Sequence, residues 1–186
     1  MPVDGKWIAG LTAAMKWSDA AELILTARLN SVEDNWRAAL AEKVDAEPVH
    51  QMRVATRRAK AAVQIFAEVL PHRVERDLNR LLKILRNVAG AARDWDVFNI
   101  ELREWSLDRP PNEQPGLDFL SGLALSHRRW AQRKLDKSVC YWEDWEILRP
   151  KVKPHRGKRW LVRRCAPSAV AKMLEDFRAA TEITEI

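Results

Sequence analysis

Between Pro48 and Val69 the chain reads PVHQMRVATRRAKAAVQIFAEV, with polar and apolar positions recurring at the period of an α-helix. His50, Arg53, Arg57, Lys60 and Gln64 follow one another at steps of three or four and share one face. Met52, Ala55, Ala59, Ala62, Val63 and Phe66 share the opposite face, and that stripe predicts a helix packed against a core. The polar stripe is unusual. It holds cationic side chains and one glutamine but no carboxylate, whereas a solvated helix face ordinarily interleaves acids with bases. A bare row of Arg and Lys repels itself, so the pattern points to a polyanion supplied from outside.

The rest of the chain reads as helical almost throughout, with no sustained period of two. Trp7 and Leu11 sit in an N-terminal stretch, 1–17, read as an extension, and residues 18–186 are read as one helical domain. Ser18 is placed to cap a first helix through Leu23, Ala27, Val32, Trp36, Leu40 and Val44, with Asp19 and Glu22 in its first turn. Asp45 to Pro48 breaks and restarts the chain, and Leu70-Pro71 ends the basic helix. His72 to about Leu107 predicts one long helix or two in line, flexing at Gly90. Its core stripe is Leu78, Leu81, Leu85, Val88 and Ala92, and a polar stripe of Arg76, Arg80, Lys83 and Asn87 faces away. That second basic ridge is placed to stand across a groove from the first. Asp108 to Gly116 (DRPPNEQPG) is a loop. A further helix takes Leu117, Leu120, Leu123, Ala124, His127, Trp130 and Leu135 as its apolar positions, followed by a short cluster of Trp142, Trp145, Ile147 and Leu148. Pro150 to Arg164 is a basic connector whose Trp160 either anchors it or stacks on a base, and Pro167-Ser168 open a last helix through Val170, Leu174 and Phe177. The expected fold class is all-α, an antiparallel bundle of long helices.

Charge sharpens this picture. The net charge of +6 over 186 residues hides a segmental pattern. Residues 50–86 carry 9 basic and 3 acidic side chains and residues 127–164 carry 13 and 4, while 1–49, 87–126 and 165–186 are net acidic. Two basic blocks brought together in space would focus positive potential on one groove; kept apart, they are two solubilising surfaces. No apolar run is long enough for a bilayer span and no secretory leader is visible, so a cytoplasmic protein is expected. Cys140 and Cys165 form neither a CxxC pair nor a disulfide framework and are read as free thiols.

Candidate chemistry is sparse. In Gly90-Ala91-Ala92-Arg93-Asp94-Trp95-Asp96-Val97 the small residues permit close approach of a neighbouring backbone, and Arg93 with Asp94 or Asp96 is read as an ionic latch between helices. Two close carboxylates also fit metal binding or acid/base work, but no His stands at ligand spacing beside them. No Gly-rich phosphate loop, HExxH or GxSxG occurs, so no enzyme activity, cofactor or metal is expected.

The block His50-Gln51-Met52-Arg53-Val54-Ala55-Thr56-Arg57-Arg58, followed by an apolar helix and a Leu-Pro stop, resembles the signature of the CHAD family, the conserved histidine α-helical domains. Gly90 to Val97 (GAARDWDV) resembles that family's second recurrent block, in the same order and spacing. The resemblance implies an all-helical bundle that binds inorganic polyphosphate and is often found at polyphosphate granules. Family members pair two similar halves around a basic cavity. By position, His50, Arg53, Arg57 and Lys60 match the ligand-facing column, Arg58 lies in the same motif, and Arg80, Lys83 and Arg86 match basic positions of the following helix. No second His-x-x-Arg block follows Asp176, so the chain resembles a first half plus the opening of a second, and a homodimer completing the cavity is one expectation. Polyphosphate has no bases to read, and rows of Arg and Lys suit it because a guanidinium engages two oxygens at once. His50, in the first turn of its helix, is placed where unpaired amides favour anions. Two other binding classes are open on the same residues: nucleic acid, from the basic blocks with Trp130 and Trp160, and a scaffold for an acidic partner.

Overall fold

The computed structural model describes residues 8–43, 45–154 and 161–171. The described residues are overwhelmingly helical: α1 (Trp17–Ala41), α2 (Glu47–Ile65), α3 (His72–Ser106), α4 (Gln114–Lys137) and α5 (Trp142–Leu148), with residues 162–171 also helical. No strand occurs among them, only one bridge between Lys16 and Leu161. The expected all-α bundle is what the chain forms. Trp7, Val44, Trp160, Leu174 and Phe177, to which the sequence reading gave roles, lie outside the described residues.

Each helix packs along its apolar stripe. On α1 the buried residues Trp17, Ala21, Leu25, Leu29, Val32, Trp36 and Ala39 recur at three or four. They meet Met52, Ala55, Ala59, Ala62 and Val63 of α2, where the run of alanines lets the two backbones approach. Trp17 and Phe66 close one end of this pair with ring centroids 4.6 Å apart. A tight 3-10 turn at Ala67–Val69 and the Leu70-Pro71 stop reverse the chain, so α3 returns antiparallel to α2 and buries Leu78, Leu81, Leu82, Leu85, Ala89 and Ala92. Gly90 does not flex this helix, which runs unbroken for 35 residues. Ser18 is not the cap of α1: Lys16 holds that position, and Ser18 is buried as the second residue of the helix.

The fourth layer is α4 continued by α5, antiparallel to α3. Trp36 of α1 donates from its indole Nε1–H to Ser138 Oγ at 2.8 Å and packs on Trp142 and Trp145. Glu33 of α1 accepts from Arg37, Trp145 Nε1 and Arg149, pinning α5 to the bundle. Burial pushes the Glu33 carboxyl up, but the Arg37 and Trp145 hydrogen bonds and the Arg149 and Arg37 charges pull it below the usual carboxylate range. At the other end, Lys43 pairs with Asp136 at 2.8 Å and Gln132 Nε2 donates to the Ala39 carbonyl at 3.5 Å.

Three expectations are corrected here. The buried stripe of α4 is Leu117, Ala124, Arg128, Ala131, Gln132 and Leu135, while Leu120, Leu123, His127 and Trp130 face outward. Arg128 is what turns the helix: its Nε–H lies 2.5 Å from Asp96 Oδ1 and its Nη1 2.7 Å from Gln132 Oε1, all three side chains being buried. The latch expected of Arg93 is therefore made by Arg128, 32 residues away on the facing helix. The last helix is already formed at 162–171, with Pro167 inside it, because Val162 and Arg163 donate to the Met15 and Ala13 carbonyls and fix the chain earlier.

The two hairpins differ in length. α1 ends at Ala41 beside Gln132, and α2 begins at Glu47, so α3 beyond about Phe98 and α4 before His127 run past both. At 1.5 Å per residue, α3 from Phe98 to Ser106 projects roughly 13 Å.

Candidate functional site

On α2 the polar column is where the sequence put it. Arg53, Arg57 and Gln64 are exposed, His50 and Lys60 are half-buried, and the six residues of the opposing stripe are all buried. The contact that fixes this column against α3 is made by Arg53. Its guanidinium lies over Gly90, so close that a Cβ on Gly90 would stand 2.7 Å from Arg53 Nη1. Asp94, one turn further along α3, meets the same Nη1 at 3.6 Å. Gly90 therefore admits a side chain of α2, where the sequence reading expected a backbone.

The pairing of Arg53 with Gly90 sets the register of two antiparallel helices. Four residues on along α2 and four back along α3 place Arg57 opposite Arg86; three more place Lys60 opposite Lys83. Both helices present these positions at steps of three and four, so the residues stay on facing edges as the helices advance by about 6 and then 4.5 Å. His50 falls opposite Arg93 by the same count. Arg53, Arg57, Lys60, Lys83 and Arg86 thus form two parallel rows along one groove. Among the described residues, Asp94 is the only carboxylate paired with them, and it is 73% exposed. Arg57, Lys60, Lys83 and Arg86 have no acidic partner there.

Other predicted residues stand apart from the rows. Arg58 comes about 100° further round the helix than Arg57. It lines an apolar cavity of about 420 Å³ with Trp17, Ile24, Arg28, Phe66 and Val162. Burial, and then the neighbouring Arg58 charge, lower the Arg28 guanidinium from its ordinary value. Arg80 turns toward α5 and lines a cleft of about 470 Å³ with Arg73, Asp77, Tyr141, Asp144 and Lys151. The amides at the start of α2 are not an open anion site: the Glu47 N–H donates to Asp45 Oδ1 at 2.9 Å, and the His50 N–H donates to the Ala46 carbonyl at 3.1 Å. Gln51 Nε2 donates to the Glu47 carboxylate beside them. What His50 presents at the end of the rows is its half-buried imidazole, not an open helix terminus.

Gly90 and Asp94 are the residues that sequence reasoning missed as parts of the site. The available signal was their i, i+4 spacing, which stacks a missing Cβ and a carboxylate on one face of α3. Gly90→Ala is expected to act with opposite signs on fold and site. Alanine improves the mid-helix propensity by up to about 1 kcal/mol. The atom it meets is the far end of a flexible arginine, so Arg53 swings out instead of α3 moving. Denaturation should show equal or greater stability, and polyanion titration a weaker affinity.

Among the described residues no group of three or more His, Cys, Asp or Glu side chains is placed to hold a metal ion. None of the described helices is long and apolar enough to cross a membrane. Cys140 and Cys165 are free thiols. A family model described as CHAD domain matches residues 23–141, a span that includes α2, α3 and α4 entire. No curated protein matches the chain.

Proposed function

This chain belongs to the CHAD domain family, and from that premise we propose that it is a non-enzymatic module binding inorganic polyphosphate along the groove between α2 and α3. The observation that supports this most directly is the pair of rows, Arg53-Arg57-Lys60 against Arg86-Lys83, with four of the five cations lacking an acidic partner among the described residues. Like charges held on two rigid helices repel one another, and a linear polyanion laid between them converts that repulsion into attraction on both sides. Arg offers a planar fork to two phosphate oxygens, and Lys a point charge to one. His50 adds an imidazole N–H donor at the end of the rows. In the cell this reading places the protein with polyphosphate, including its granules, and a second copy would add a second groove.

The test is competition at matched salt. Long-chain polyphosphate is set against single- and double-stranded nucleic acid of equal total charge, with binding followed by fluorescence anisotropy. Every polyanion will weaken as salt rises, because counterions are released on binding, so the ranking at one ionic strength is what counts. Polyphosphate is expected to displace both nucleic acids. Nucleic acid winning, with Arg57→Ala leaving its affinity unchanged, would refute the proposal. Capture of an acidic protein that polyphosphate cannot displace would refute it as well.

A further inference from the structure

Arg80 belongs by spacing to the basic ridge of α3, but the fold takes it out of the groove and sets it in the cleft of about 470 Å³ between α3 and α5. Two helical stripes form that cleft. On α3, Arg73, Asp77, Arg80 and Ile84 succeed one another at steps of four, three and four. Across from them Tyr141, Asp144, Leu148 and Lys151 do so at three, four and three, along the continuous helical run 138–151. The floor is apolar: Val74 and Leu81 are buried, and Ile84 and Leu148 half-buried. The polar groups round it divide into used and unused. Asp77 is taken by Arg73 at 3.9 Å and by Arg76 at 3.6 Å. Arg80, Asp144, Lys151 and the Tyr141 hydroxyl make no side-chain hydrogen bond or ion pair among the described residues. An apolar floor of this size with a few unspent polar groups above it is the ordinary make-up of a small-molecule site.

We propose that the cleft binds a small organic phosphate with a flat, hydrogen-bond-donating body, a nucleoside monophosphate being the simplest case. Each part of the lining selects one part of such a ligand. Arg80 and Lys151 come from opposite walls, and one phosphate group between them answers both, the guanidinium engaging two oxygens and the ammonium another. The apolar floor and the Tyr141 ring bury a flat body. Asp144 accepts from the hydroxyl or amino groups that the body carries, since an ionised carboxylate only accepts. The same lining disfavours polyphosphate. A chain charged on every unit has nothing to bury on an apolar floor and is repelled by Asp77 and Asp144. This inference does not rest on the polyphosphate reading: none of the cleft residues belongs to the two cationic rows, and its test contains no polymer.

The test is calorimetric titration of the full chain with adenosine monophosphate, adenosine and ribose phosphate at one ionic strength. The monophosphate is expected to saturate one site with a Kd of about 1 mM or tighter. Each truncated ligand should bind at least about tenfold more weakly, because each lacks one of the two parts that the cleft holds. Arg80→Gln, at an exposed position, should leave the thermal melt unchanged and weaken the monophosphate by about tenfold or more, as loss of a charge-assisted hydrogen bond does. Arg103→Gln removes the same charge from an exposed position about 35 Å further along α3 and should change nothing. Asp144→Ala separates recognition from plain attraction: affinity should fall, whereas a surface that merely draws anions would gain. No saturable binding in the millimolar range overturns the proposal. So does ribose phosphate binding as tightly as the monophosphate, indifference to Arg80→Gln, equal losses from the two arginine variants, or a gain with Asp144→Ala.

Discussion

Asp96→Ala is expected to lower folding stability by about 3–5 kcal/mol, the range seen when one member of a buried ion pair is removed and its partner stays behind. For a chain of this size that corresponds to a fall in Tm on the order of 10 °C. Arg128 is only 11% exposed at its side chain and would keep Gln132 Oε1 as an acceptor but no counter-charge. Asp96 Oδ2 has no hydrogen-bond partner, so the pair is not ideally satisfied even in the native protein. Replacing both residues together, Asp96→Leu with Arg128→Met, should therefore recover most of the loss. Urea denaturation of the native chain and the two variants checks this. Equal losses in the single and double variants would show that the pair is not what holds α4 against α3.

Arg57→Glu is expected to weaken polyphosphate binding by about 10- to 100-fold or more, from the loss of a charge-assisted hydrogen bond worth about 1.5–3 kcal/mol and the repulsion that replaces it. Arg57 lies in the middle of its row, opposite Arg86, and no described carboxylate pairs with it, so little in the free protein offsets the change. The slope of log affinity against log salt should become shallower by about one, since one fewer phosphate sheds its counterion. Arg58→Gln separates the groove from the motif. It alters the adjacent residue of the same block, but one that faces the cavity beside Arg28. If the groove holds the ligand, that variant binds nearly as the native chain does; if Arg58→Gln is as damaging as Arg57→Glu, the groove is the wrong place. Both are read by titration, with thermal melts to show that the fold survives.

The α2 helix was legible in the sequence because its two stripes differ in kind. All six apolar positions are buried and the cationic ones reach solvent, as period and polarity require. The length of α3 and the Leu-Pro stop were legible for similar reasons. α4 was not, because it carries two apolar stripes, and the one richer in large residues is the exposed one. The buried stripe contains Arg128 and Gln132, which hydropathy assigns to solvent. Only the position of Asp96 on another helix reverses that assignment, and no local pattern reports a contact across 32 residues. The site was half legible. Spacing within α2 gave its row, and spacing within α3 gave Lys83 and Arg86 together with Arg80. That Lys83 and Arg86 face α2 while Arg80 faces α5 depends on the crossing of the helices, which the seat of Arg53 on Gly90 fixes. The anion-friendly start of α2 failed for a local reason: Asp45 supplies the acceptor itself.

The facing of Arg57 on Arg86 and Lys60 on Lys83 bears on which polymers can occupy the groove. Helical rise fixes the interval between cations, and neither helix can stretch to suit a guest, so all adjustment falls to the ligand. A stiff duplex arrives with its phosphates at a preset pitch and can match such a fixed comb at only some of its teeth. An unbranched, freely jointed chain can bring an oxygen to every one, at the expense of the conformational freedom it gives up on binding. That loss grows with each link immobilised, whereas the gain ends where the cations end.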